Sequence, residues 1–93
     1  MYFSAYNVDY RRASIEDWVV VTGEIRNDSK KNFATAIFRI VLFDKRKTLG
    51  TGFIKIHGFR INAIKRFEVS IEGLHYKFIS SIVRHELVLE SAY

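Results

Sequence analysis

The chain has 93 residues, a formal net charge of +5, no cysteine and no proline. We expect residues 1–93 to form a single domain, because a chain of this length buries only one modest core. The absence of cysteine excludes disulfides, iron–sulfur clusters, a thiolate nucleophile and cysteine-based zinc sites. Contents of 48% hydrophobic and 27% charged residues indicate an ordered globular chain.

The sequence favours strands over helices. Val, Ile, Thr and aromatic residues far outnumber Ala and Leu, and branched or aromatic side chains fit a pleated sheet better than a helix. Hydrophobic and polar residues alternate with a period of two, as expected where one face of a sheet packs on a core and the other faces water. The alternation predicts six strands, over residues 2–10, 17–27, 35–44, 50–57, 64–71 and 81–90.

The breaks between these strands contain turn residues. The polar segment 27–32 predicts a loop, and Asp44 at the start of the segment 44–47 predicts a type I turn, in which its carboxylate accepts a backbone N–H. The segment 72–81 does not fit the alternation, because Leu74, Phe78 and Ile82 recur at helical spacing. A short strand, a helical turn and a covering loop all remain open there. We favour a crossover that lies on the core.

Several segments together resemble the FxLYD domain family, which is named for the pattern aromatic-x-Leu-Tyr-Asp. The segments are Val21-x-Gly23-x-Ile25-x-Asn27, Ser29, Phe38 to Asp44, Leu49-Gly50 and Phe67-x-Val69. The naming pattern reads Ile40-Val41-Leu42-Phe43-Asp44 here, with Ile40 in place of the first aromatic residue and Phe43 in place of Tyr. Asn62-Ala63 also replaces the Pro-Gly pair that such domains often carry. A more distant resemblance is to the late-embryogenesis sandwich domains linked to desiccation.

The resemblance implies an all-β fold, an immunoglobulin-like antiparallel β-sandwich of six to seven strands. It implies an accessory module without established catalytic residues, of a kind that is often exported or membrane-tethered. The implied roles of the motif residues are structural: Ile40 and Leu42 in the core, Asp44 in the turn, and Asn27 bonded to loop backbone. The remaining motif positions are Gly23 and Phe43. We find no secretory signal at the N-terminus and no apolar run long enough to cross a bilayer.

No reactive constellation stands out in the sequence. His57, His75 and His85 share no ligand spacing with one another or with a carboxylate. The serines lack a nucleophile motif, and Gly50-Thr51-Gly52 is not a phosphate-binding loop. We therefore expect no catalytic, cofactor or metal site, and a protein that is not an enzyme.

Basic residues form the candidate binding clusters. Lys45, Arg46 and Lys47 occupy one turn, and Lys30 and Lys31 occupy another. If such clusters meet at one end of a sandwich, they form a rim that attracts nucleic acid, acidic glycan or lipid headgroups. Solvated turns that only maintain solubility are the alternative, and the sequence does not decide where the clusters lie.

Edge strands are the other candidate surface. A sandwich exposes unpaired strand edges, which proteins often protect with charge or proline, and this chain has no proline. Pairing with a partner strand or with a second copy is therefore expected at an edge. The leading functional hypothesis is a non-catalytic protein-interaction or structural module, and binding of an anionic polymer through the basic turns is the alternative.

Overall fold

The computed structural model describes residues 2–93 and is a β-sandwich of two antiparallel three-stranded sheets. The prediction of an all-β antiparallel sandwich with six strands is confirmed. The strands are β1 (Phe3–Arg12), β2 (Trp18–Asn27), β3 (Phe33–Phe43), β4 (Thr48–Phe59), β5 (Ile64–His75) and β6 (Arg84–Ala92), and a 3-10 helix, Tyr76–Ser81, precedes β6.

The strand orders are β1-β2-β5 in the first sheet and β4-β3-β6 in the second. They correspond to strands A, B and E and to strands C′, C and F of an immunoglobulin-like sandwich. The antiparallel register gathers the connections at two ends. Segments 13–17, 44–47 and 76–83 lie at what we call the upper end, and segments 28–32 and 60–63 lie at the lower end.

The core lies between β2 and β3, the central strands of the two sheets. Alternate residues of both strands point inward, and their side chains are fully buried: Val19, Val21 and Ile25 from β2, and Ala36, Phe38, Ile40 and Leu42 from β3. Gly23 also lies on this face, where a Cβ would come within 2.8 Å of Cε2 of Phe67, its register partner. The aromatic ring of β5 thus packs directly on the backbone of β2.

The segment 72–81 contains the end of a strand and a 3-10 helix, so that the favoured crossover is confined to Tyr76–Ser81. The fifth strand continues to His75 rather than ending at residue 71, with Gly73 at a φ of 85° and a register shift opposite Trp18. Leu74 is therefore buried as part of a strand, whereas Phe78 in the 3-10 helix is exposed. The 3-10 helix connects β5 of the first sheet to β6 of the second sheet. No helix among residues 2–93 is long and apolar enough to span a membrane.

Candidate interaction site

The two lateral sides of the sandwich differ in how closely the sheets approach. On one side, which we call the closed side, β4 lies against β5. A Cβ on Gly50 would come within 2.6 Å of Cγ2 of Ile71, and a Cβ on Gly52 would come within 2.6 Å of Cδ1 of the same side chain. Two glycines therefore let the backbone of β4 rest on the side chains of β5, and the sheets meet there without a gap.

The opposite side, which we call the open side, lies between β1 and β6. Its upper half is bridged by Tyr10 of β1, whose hydroxyl oxygen lies 2.9 Å from Nδ1 of His85 in β6. Both side chains are half-buried. Burial lowers the pKa of His85 below its ordinary value. Burial also raises the pKa of Tyr10, and the negative charge of the nearby Asp9 carboxylate raises it further. The pair thus joins two edge strands through one polar contact.

The lower half of the open side holds a cavity of about 340 Å³. Its lining combines apolar side chains with basic ones and includes no carboxylate. The lining residues are Tyr2, Phe3, Ser29, Lys30, Lys31, Phe33, Leu89 and Ala92. Phe3 is buried at the base, while Tyr2 and Leu89 are exposed at the rim. We call this cavity the lower cavity, and its chemistry suits an apolar group that lies next to a negative charge.

The edge of β6 runs along the lower cavity. This strand pairs with β3 and, among residues 2–93, with no other strand. Leu87 and Leu89 are the register partners of the core residues Ile40 and Phe38, so they point toward the first sheet. Leu89 nevertheless remains 45% exposed, because no strand of the described chain covers its outer side.

The charged side chains of β6 lie on the outer face of the second sheet and form ion pairs within the chain. Nη1 of Arg84 donates to Oε2 of Glu86 at 2.9 Å, and Oε1 of Glu90 lies 3.0 Å from Nε of Arg39. The inward face of β6 therefore carries no charge that would repel an approaching strand, apart from His85 when it is protonated.

The other edges of the sandwich are less accessible to a partner strand. β1 has a register shift between Tyr6 and Asp9, and Asn7 adopts a φ of 52°. Nδ2 of Asn7 donates to Oε1 of Glu24 at 2.7 Å, which fixes the irregularity. Bulges of this kind interrupt the ladder that a partner strand needs. β4 and β5 lie against each other on the closed side. β6 has a register shift between Leu89 and Ser91 and offers a regular edge over residues 84–89, next to the lower cavity.

The predicted basic clusters lie at opposite ends of the sandwich. Lys30 and Lys31 are at the lower end, beside the lower cavity. Lys45, Arg46 and Lys47 are at the upper end, where all three are exposed near Arg84. The structure therefore forms two separate basic surfaces, and a single rim that combines both clusters does not exist.

The turn of the upper surface is organised by Asp44. Its Oδ1 accepts hydrogen bonds from the backbone N–H groups of Arg46 and Lys47, both at 2.7 Å. These two bonds, the Arg46 bond first, lower the pKa of Asp44 because they favour the ionised carboxylate. Phe43 is half-buried on the outer face, with the guanidinium carbon of Arg84 3.8 Å from its ring centroid.

Asn27 organises the loop beside the lower cavity. Its side chain is fully buried, and Nδ2 donates to the carbonyl of Lys31 at 2.9 Å and to that of Phe59 at 3.1 Å. Its Oδ1 accepts from the backbone N–H and the hydroxyl of Ser29. This network holds the segment 28–31 in one conformation, and with it the two backbone positions from which Lys30 and Lys31 project.

The three histidines are far from forming one site. His57 is on the outer face of β4, Nδ1 of His75 accepts from the N–H of Lys77, and His85 contacts Tyr10. Within residues 2–93, the structure contains no group of three or more His, Asp or Glu side chains placed to hold a metal ion.

Sequence reasoning missed the lower cavity and the difference between the two sides. The only signal was indirect: Phe33 follows the lysine pair by two residues, and Gly50 and Gly52 lie two residues apart in β4. Comparisons with models of known families, with curated proteins and with solved structures find no match. The resemblance to the FxLYD family therefore stays a prediction from the residues.

Proposed function

We propose that the protein is a non-catalytic β-sandwich module that acts by binding another protein chain on its open side. The observation that carries this proposal is the accessible edge of β6, which lies beside a cavity with an apolar floor. Unprotected strand edges are templates for pairing, and natural proteins rarely leave one regular and uncharged on its inward face unless something uses it.

Site-specific photo-crosslinking in the organism that makes the protein tests this proposal. A photoreactive residue at position 89 samples the open side, and one at position 53 samples the outer face of β4, where Phe53 is 65% exposed. We expect a discrete crosslinked protein from position 89. Absence of a crosslinked protein from position 89, with or without one from position 53, would contradict the proposed function.

A second candidate function is binding of an anionic polymer at the upper end. Lys45, Arg46 and Lys47 favour it because they are exposed and lie close to Arg84. Titration with heparin and with single-stranded DNA at two salt concentrations tests it, since binding through such contacts weakens as salt rises. Charge reversal of these three residues should abolish the binding, whereas reversal of Lys65 and Arg66 serves as the control.

A further inference from the structure

We propose that the open side binds an extended, acidic peptide segment, which adds a strand to β6 and places one large apolar side chain in the lower cavity. This inference rests on the proposed function and specifies the partner's chemistry. In strand addition, backbone hydrogen bonds provide affinity and cavities for alternate side chains provide specificity.

The position of the cavity relative to β6 supports this mode of binding. A strand paired with β6 would lie in the plane of the second sheet, and alternate side chains of it would point toward β1. Near His85 that space is already closed by Tyr10. Near Leu89 it is the lower cavity, whose base is the buried ring of Phe3. One inward side chain of the added strand therefore has room there.

The size and lining of the cavity indicate what that side chain is. A volume of about 340 Å³ accommodates a large aliphatic or aromatic group. Phe3, Phe33 and Leu89 provide apolar contact from three strands.

The charges around the cavity indicate an acidic neighbour. Lys30 and Lys31 are exposed at its rim, neither takes part in an ion pair of the described chain, and no carboxylate lines the cavity. A carboxylate one or two positions from the apolar side chain would face these lysines. The net charge of +5 acts in the same direction at longer range.

Charge also argues against a second copy as the occupant. A two-fold symmetric pairing of β6 with itself is antiparallel, so the upper end of one copy would lie beside the lower end of the other. That arrangement brings the Lys45–Lys47 turn toward Lys30 and Lys31 of the partner copy. Like charges would then meet at both ends of the interface.

Panning of a phage-displayed library of random ten-residue peptides against the intact protein tests the inference. We expect enrichment of sequences in which β-branched residues alternate with others and one large apolar residue lies within two positions of Asp or Glu. A synthetic copy of the most enriched sequence should bind in solution, and its binding should weaken as salt rises.

Three variants locate the binding site of that peptide. Leu89→Lys, and separately the double variant Lys30→Glu with Lys31→Glu, should each weaken binding by about tenfold or more. Phe53→Lys, at an exposed position of the other edge strand of this sheet, should leave binding unchanged. All these positions are exposed, so the variants should keep the thermal unfolding midpoint of the original protein.

Several results would overturn the inference. They are no enrichment above panning against Leu89→Lys, equal binding to all variants, and sensitivity only to reversal of Lys45 to Lys47. Sedimentation that shows a dimer dissociated by Leu89→Lys would instead identify a second copy as the occupant. Because the crosslinking experiment can still capture a protein partner from position 89 when no acidic peptide binds, failure of this inference is distinguishable from failure of the proposed function.

Discussion

On the closed and open sides of the sandwich, the edges of the two sheets are joined in different ways. On the closed side, Gly50 and Gly52 remove side chains from β4, so that backbone packs directly on Ile71. On the open side, one hydrogen bond between Tyr10 and His85 spans the gap, and a cavity remains below it. The side that is packed by backbone contact contributes stability, whereas the side that is bridged by one hydrogen bond and retains a cavity leaves surface for recognition.

The largest effect is expected where the two sides share the core. Leu42 is fully buried, and its register partners are Gly50 toward the closed side and His85 toward the open side. Leu42→Ala should lower the free energy of unfolding by about 2–5 kcal/mol, because a cavity replaces the isobutyl group. Denaturant unfolding followed by tryptophan fluorescence measures this. A loss below about 1 kcal/mol would place Leu42 outside the shared core.

A substitution on the closed side should be the next most damaging. Gly52→Ala should lower the free energy of unfolding by about 1–3 kcal/mol, since the new Cβ overlaps with Ile71 and Val69. Strand propensity alone predicts that Gly52→Ala raises the free energy of unfolding, because glycine weakens a strand. Thr51→Ala, exposed on the same strand, is the matched control. A more stable Gly52→Ala variant would show that the sides are not packed as described.

Loss of the polar bridge on the open side should cost less. Tyr10→Phe should lower the free energy of unfolding by about 0.5–1.5 kcal/mol, because one half-buried hydrogen bond is lost. Tyr6→Phe, at an exposed position of the same strand, provides the comparison. If the two substitutions have equal effects, then the contact between Tyr10 and His85 does not hold the open side together.

The smallest expected effect is a pH dependence of stability that arises from His85 in the same hydrogen bond. Because burial lowers the pKa of His85 in the folded state from the ordinary value of 6.5, the neutral imidazole is favoured by folding. The resulting stability is present above that value and is lost as the pH falls through the lowered pKa. Thermal unfolding between about pH 7.5 and pH 5 should show this loss, and His85→Gln should remove it. Asp44, whose pKa is also lowered, contributes only in a more acidic range.

The fold was predictable because alternation of hydrophobic residues carries most of its information. In β3, the inward residues Phe38, Ile40 and Leu42 alternate with polar or less buried ones. Strand ends were less predictable, as the extension of β5 to His75 shows. There the register shift opposite Trp18 and the φ of Gly73 decide the boundary, and both depend on a strand that is distant in sequence.

The separation of the basic clusters was within reach of the sequence. Lys31 lies two residues before the start of β3, and Lys45 lies two residues after its end. The length of this one strand therefore places the two clusters at opposite ends of the sandwich. The lower cavity was not within reach, because Tyr2 and Ala92 meet there from the two ends of the described chain. Alternation specifies which residues face inward but not how well opposite edges fill the space between them.

Amide hydrogen exchange along β6, measured with and without the peptide selected by panning, tests the account most directly. We expect alternate amides of residues 84–89 to exchange quickly in the protein alone and to become protected when the peptide binds. The edges of β4 and β5 on the closed side should keep their exchange rates. Unchanged exchange along β6, with new protection confined to the Lys45–Lys47 turn or to the outer face around Phe53, would contradict it.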